Sequence, residues 1–67
     1  MNRHAKAAIE RAREEMGKGW TMLSTEMQCR LAEGHLLSIV AGWDDSTTDV
    51  LAKLVAAKMD VVKFFNK

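Results

Sequence analysis

Residues 19–25, GWTMLST, and residues 42–47, GWDDST, divide this chain of 67 residues into three segments. Each stretch begins with a glycine, which readily takes the left-handed conformation that ends a helix, and Gly17 together with Gly19 is expected to end the first helix. A tryptophan placed to pack back onto the helices follows, and each stretch then ends in Ser-Thr, residue types that cap a helix N-terminus. The two junctions predict three helices, over about residues 2–17, 24–41 and 46–65, that pack as an all-α three-helix bundle.

The length of the chain indicates a single domain, residues 1–67, with a small core. A domain of this size buries only roughly 60% of the surface of its unfolded chain, and such domains are commonly reinforced by disulfides, metals or self-association. Cys29 is the only cysteine, so no intrachain disulfide can form, and the cysteine and two histidines match no zinc-binding spacing. We therefore expect self-association, most simply as a homodimer.

The first predicted helix has a thin apolar face that consists mostly of alanine. Its members are spaced three and four residues apart and are Ala5, Ala8, Ile9, Ala12 and Met16. Alanine favours a helix but buries little area. This helix is therefore expected either to pack closely against the others or to dock on a second subunit.

The second predicted helix is apolar on more than one side, which is typical of a central helix. Its main stripe consists of Cys29, Ala32, Leu36, Ile39 and Val40. Thr25 and Gln28 have the spacing of a capping box. Gly34 lies inside the helix at a cost of about 1 kcal/mol relative to alanine. Either it allows a close approach by another helix, which is the favoured interpretation, or the helix simply tolerates it.

The third predicted helix carries the strongest amphipathic pattern, and Lys58 interrupts it. The apolar stripe consists of Val50, Leu51, Leu54, Val55, Val61, Val62 and Phe65, with Phe64 beside it. Two interpretations of Lys58 remain open. Its stem can lie along the core while the ammonium reaches solvent. Alternatively it meets a carboxylate such as Glu33, or it lies at a subunit seam where a polar group fixes the register.

The candidates for chemistry are weak, so we expect no enzyme and no catalytic, cofactor or metal site. Cys29 and His35 are six residues apart, which turns them roughly 120° away from each other on one helix. The tripeptide at residues 17–19, GKG, lacks the strand and hydroxyl residue of a phosphate-binding loop. The longest mostly apolar stretch, residues 36–43, is too short to span a bilayer, so we expect a cytoplasmic protein with no membrane contact.

Nucleic-acid binding by a helix-turn-helix-like domain is the alternative function. The candidate contacts are the basic residues of the first segment: Arg3, Lys6, Arg11, Arg13 and Lys18. Against it, the second helix is acidic and apolar, and the formal net charge of the chain is only +1.

The leading prediction is a non-catalytic protein-interaction module, an adaptor, inhibitor or regulator, that binds itself and another protein. Five methionines and two tryptophans supply adaptable apolar surface that one copy is not expected to cover. The predicted interface residues are Trp20, Trp43, Lys58, Val62, Phe64 and Phe65.

Overall fold

The computed structural model describes residues 2–42 and 47–66, and of Thr47 the backbone alone. Helix α1 spans Arg3–Met16, α2 spans Thr25–Ala41 and α3 spans Thr47–Phe65, with a short 3-10 helix, Gly17–Met22, between α1 and α2. No strand occurs in this part of the chain. The all-α three-helix bundle is therefore confirmed. The predicted positions of Trp43 and Ser46 lie outside the described residues.

Two side chains hold the start of α1, the amide of Asn2 and the carboxylate of Asp60. The Asn2 side chain accepts hydrogen bonds from the backbone N–H groups of His4 and Ala5, at 2.8 and 3.4 Å. The Asn2 backbone N–H donates to Asp60 Oδ2 in α3 at 2.6 Å. The first turn of α1 is thus capped locally and also joined to the far end of the chain.

The junction after α1 differs in detail from the sequence prediction. Gly17 ends α1 with a φ of 54°, in the left-handed region that suits glycine. The same expectation is wrong for Gly19, which lies inside the 3-10 helix, and for Gly42, which follows α2 with a φ of −86°. Ser24 caps α2 by accepting from the backbone N–H of Met27 at 3.2 Å, so the predicted Thr25–Gln28 capping box is wrong. Because Ser24 takes the cap position, Gln28 lies one residue too far along the helix for that motif. Its Nε2 instead donates to the Trp20 carbonyl oxygen at 2.7 Å and fixes the 3-10 helix.

The core lies between all three helices and is made largely of alanine. Nine of the described residues are buried: Ala5, Ala8, Ile9, Ala12, Ala32, Leu36, Val40, Ala57 and Val61. Helix α2 packs extensively against both neighbours. The alanine face of α1 is completely buried within one copy. Helix α1 therefore packs closely against the other two helices and does not need a second subunit to cover this face. Short side chains allow close helix approach but contribute little buried area each.

Gly34 does not have the role that its position in α2 suggested. It is exposed, and a Cβ added there would meet nothing within 4 Å, so the predicted close approach of another helix is wrong. Gly34→Ala is expected to raise the free energy of unfolding by about 1 kcal/mol, because alanine has the higher helix propensity and fits without a clash. Urea denaturation followed by circular dichroism measures the change.

The matched control for this prediction is Gly17→Ala. The same substitution there places a side chain at a φ of 54°, which should lower the stability instead. A destabilised Gly34→Ala variant would contradict the prediction.

Candidate interaction surface

Helix α3 presents two apolar faces, one on each side. The inner face contacts the core through Val50, Leu54, Ala57, Val61, Phe64 and Phe65. The prediction that Phe64 lies off the core-facing stripe is therefore wrong. The error arises because apolar residues cover a wide arc of α3, and the packed arc is set by where α1 and α2 lie. The rest of the arc is left on the outside of the bundle.

The outer face of α3 is the largest concentration of exposed apolar side chains on one helix in the described part of the chain. Leu51, Val55, Met59 and Val62 are 55%, 56%, 55% and 36% exposed. They recur at intervals of three and four residues and so form one stripe, which we call the outer stripe. Three of these side chains line a shallow groove together with Lys58 and Lys63. Its floor is apolar, and a lysine stands on each side.

The aromatic side chains form a separate cluster at the other face of α3. Phe64 and Phe65 are in edge-to-face contact with their ring centroids 4.9 Å apart, and Trp20 lies 6.2 Å from Phe65. All three are partly buried against the core. Such contacts contribute to packing within one copy. The predicted interface role of these three residues stays a prediction, and Trp43 lies outside the described residues.

Lys58 lies at the boundary between the outer stripe and α2. Its side chain is exposed, which fits the interpretation that the ammonium reaches solvent. It is also near enough to Cys29 to influence the thiol. Burial and the Glu33 carboxylate, which accepts from Cys29 Sγ at 3.8 Å, raise the pKa of the Cys29 thiol, while Lys58 acts in the opposite direction. A thiol with a raised pKa is largely protonated at neutral pH and is a poor nucleophile.

His35 contacts the carboxylate of Glu15, whereas Cys29 contacts that of Glu33. Its Nε2 pairs with Glu15 Oε2, which joins α2 to α1. The histidine therefore links two helices of the bundle. Among residues 2–42 and 47–66, no group of three or more histidine, cysteine or acidic side chains is arranged to hold a metal ion.

The basic residues proposed for nucleic-acid contact are all exposed: Arg3, Lys6, Arg11, Arg13 and Lys18. They do not share an uninterrupted face, because Glu10 and Glu14 follow Lys6 at intervals of four residues on α1. A mixed surface of this kind is typical of a solvated helix face. Nucleic-acid binding therefore stays a prediction without structural support.

No protein-family model, no curated protein and no solved structure matches this chain. No helix in the described ranges is both long enough and apolar enough to cross a membrane.

Proposed function

We propose that this protein is a non-catalytic helical interaction module, an adaptor, inhibitor or regulator of the cytoplasm, that acts as a homo-oligomer through the outer stripe of α3. The observation that carries the proposal is the exposure of Leu51, Val55, Met59 and Val62 on a helix whose opposite face already packs against the core. A helix that is apolar on two sides is typically buried on both. Contiguous exposed apolar patches commonly mark binding sites.

The modest core gives self-association a thermodynamic benefit. Among the described residues, Leu36 and Val61 are the largest fully buried side chains, and five of the nine buried residues are alanines. Burial of a second apolar surface stabilises the folded chain by mass action, because only the folded form presents that surface. The free energy of unfolding is therefore expected to rise with protein concentration.

Two of the predicted interface residues support this choice of surface. Val62 belongs to the outer stripe, and Lys58 lines the groove beside it. Methionine at the centre of the stripe suits a contact surface, because its flexible side chain adapts to the shape of a partner.

Substitution of Met59 by aspartate tests the proposal. Sedimentation equilibrium of the unmodified chain is expected to show a mass that rises from 7.5 kDa towards twice that value with concentration. Met59→Asp should weaken self-association by on the order of 100-fold, because a charged carboxylate would have to lose its water at the apolar centre of the contact.

Met22→Asp is the matched control for this experiment. Met22 is 86% exposed but lies on the 3-10 helix, away from the outer stripe, so its substitution should leave the association unchanged. A chain that stays at 7.5 kDa at the highest attainable concentration would refute the proposal. Equal effects of the two variants would refute the choice of surface.

A further inference from the structure

We propose that two copies pair with their α3 helices antiparallel, so that Asp49 of each copy lies beside Lys63 of the other. This inference rests on the proposed self-association and assigns its geometry. It starts from a regular seam along the outside of α3. The six seam positions are all exposed and are Thr48, Ala52, Val55, Met59, Val62 and Asn66.

The spacing of these positions is that of a two-helix coiled-coil seam. Successive members are separated by four, three, four, three and four residues, which is the a/d pattern of a heptad repeat. The central four members are apolar, and polar residues, Thr48 and Asn66, close the two ends. The seam therefore has a defined length as well as a defined face.

The sequence of the seam favours one antiparallel register. In that register Val55 lies opposite Met59 of the second copy and Ala52 lies opposite its Val62, so small side chains meet large ones. Thr48 then lies opposite Asn66 of the second copy, and polar meets polar at both ends. A shift by one heptad in either direction would place a polar end residue against an apolar one and shorten the overlap, at a cost in buried area.

The charges beside the seam also favour the antiparallel arrangement. Asp49 lies in the first turn of α3 and Lys63 in the last turn. Asp49, Ala56 and Lys63 lie on the same flank of the seam. Antiparallel helices bring equivalent flanks together, so Asp49 of each copy meets Lys63 of the other and two pairs form. Each charge also complements the dipole of its own helix, and the antiparallel arrangement sets the positive N-terminus of one α3 beside the negative C-terminus of the other.

A parallel pair would have the opposite electrostatic result. In parallel coiled coils a flanking residue faces the residue five positions further along the second helix. Lys58 would then face Lys63 of the second copy, and this repulsion would occur twice. In the antiparallel pair, Lys58 meets only Lys58 of the second copy near the two-fold axis, where its long stem lets the ammonium groups diverge into solvent.

The expected association is weak, because the contact is a single helix on each side. Helix α3 has 19 residues and is therefore about 28 Å long. Two such helices bury an area at the low end of specific interfaces, which is typical of reversible association. Under these conditions a pair of flanking charges changes the dissociation constant measurably.

A charge exchange at Asp49 and Lys63 tests the pairing. Sedimentation equilibrium at low ionic strength compares the unmodified chain with Asp49→Lys, Lys63→Asp and the variant that carries both changes. Each single variant is expected to weaken the dimer roughly tenfold, because two attractive pairs become repulsive. The double variant should regain the original affinity, and an equimolar mixture of the single variants should form a heterodimer of comparable affinity.

Lys18→Asp provides the control, because it changes the net charge as Lys63→Asp does but lies at an exposed position of the 3-10 helix, outside α3. Circular dichroism confirms that each variant remains helical. Single variants that associate like the unmodified chain, or a mixture that fails to recover, would overturn the antiparallel pairing.

The outcomes separate this inference from the proposed function. If Met59→Asp abolishes association while the charge exchanges have no effect, the surface is correct and the pairing is wrong. If the unmodified chain is monomeric, both fail. A monomer that sediments with vesicles of phosphatidylcholine and phosphatidylserine, and loses this binding in Met59→Asp, would assign the outer stripe to an anionic lipid surface instead and overturn both proposals.

Discussion

Leu36→Ala is expected to lower the free energy of unfolding by about 2–5 kcal/mol. Leu36 is 1% exposed and lies at the centre of α2, in contact with the core that joins the three helices. The loss combines the transfer free energy of the deleted atoms with the cavity that they leave. Small domains have a total stability on the order of 5 kcal/mol, so this change should unfold a substantial fraction of the chain.

The neighbouring leucine provides the control for this experiment. Leu37 is 58% exposed, so Leu37→Ala makes the same chemical change at a site that loses little buried area. Its effect should stay within about 0.5 kcal/mol. Both values follow from urea denaturation monitored by circular dichroism at one protein concentration. Similar losses in the two variants would contradict the placement of α2 in the bundle.

Ala8→Leu is expected to lower the free energy of unfolding by about 1–3 kcal/mol through overpacking. Ala8 is completely buried in the face of α1 that packs within the same copy. The larger side chain has no space there, although leucine is a good helix former. Thermal and urea denaturation should both report the loss.

Ala7→Leu is the matched control for α1, because Ala7 is only partly buried. A leucine at this position has a path towards solvent, so the loss should be clearly smaller than at Ala8. If Ala8→Leu were neutral or stabilising, α1 would not pack as closely as the structure shows.

The three helices could be predicted from the sequence because their ends are encoded locally. Glycine at Gly17 and hydroxyl residues near Ser24 act on the backbone within one turn, and they do so whatever the rest of the chain does. The choice of Ser24 over Thr25 as the cap was harder to predict. Both residues are hydroxyl residues that suit a cap position. In the structure Ser24 accepts from the Met27 backbone N–H, and the Gln28 amide reaches the Trp20 carbonyl instead of closing a box with Thr25.

The orientation of α3 could be predicted only in part. Apolar residues occupy so wide an arc that the sequence alone offers two competing stripes, one through Val61 and Phe64 and the other through Val55 and Met59. The packing of α1 and α2 decides between them, and single-residue patterns do not contain that information. Counting the two stripes separately would have shown that one of them has to face away from the core, without showing which one.

The sequence prediction of the candidate surface on α3 included Val62 and Lys58 but not Leu51, Val55 and Met59. Lys58 was named because it interrupts an apolar pattern, and Val62 was named although it belongs to that pattern. Leu51 and Val55 were assigned to the expected core stripe, and Met59 was assigned to neither face of α3. A residue that fits a pattern carries little information about which side of the helix it will occupy.

The hydrogen bond from Asn2 to Asp60 has a consequence for how the chain folds during synthesis. The two residues are 58 positions apart, so this contact forms only after α3 has been synthesised and has packed beside the start of α1. The contacts between successive helices span shorter separations and can form earlier, since closing a short loop costs less entropy. The Asn2 side chain can cap the first turn of α1 at any stage, whereas the link from Asn2 to Asp60 forms only as the bundle is completed.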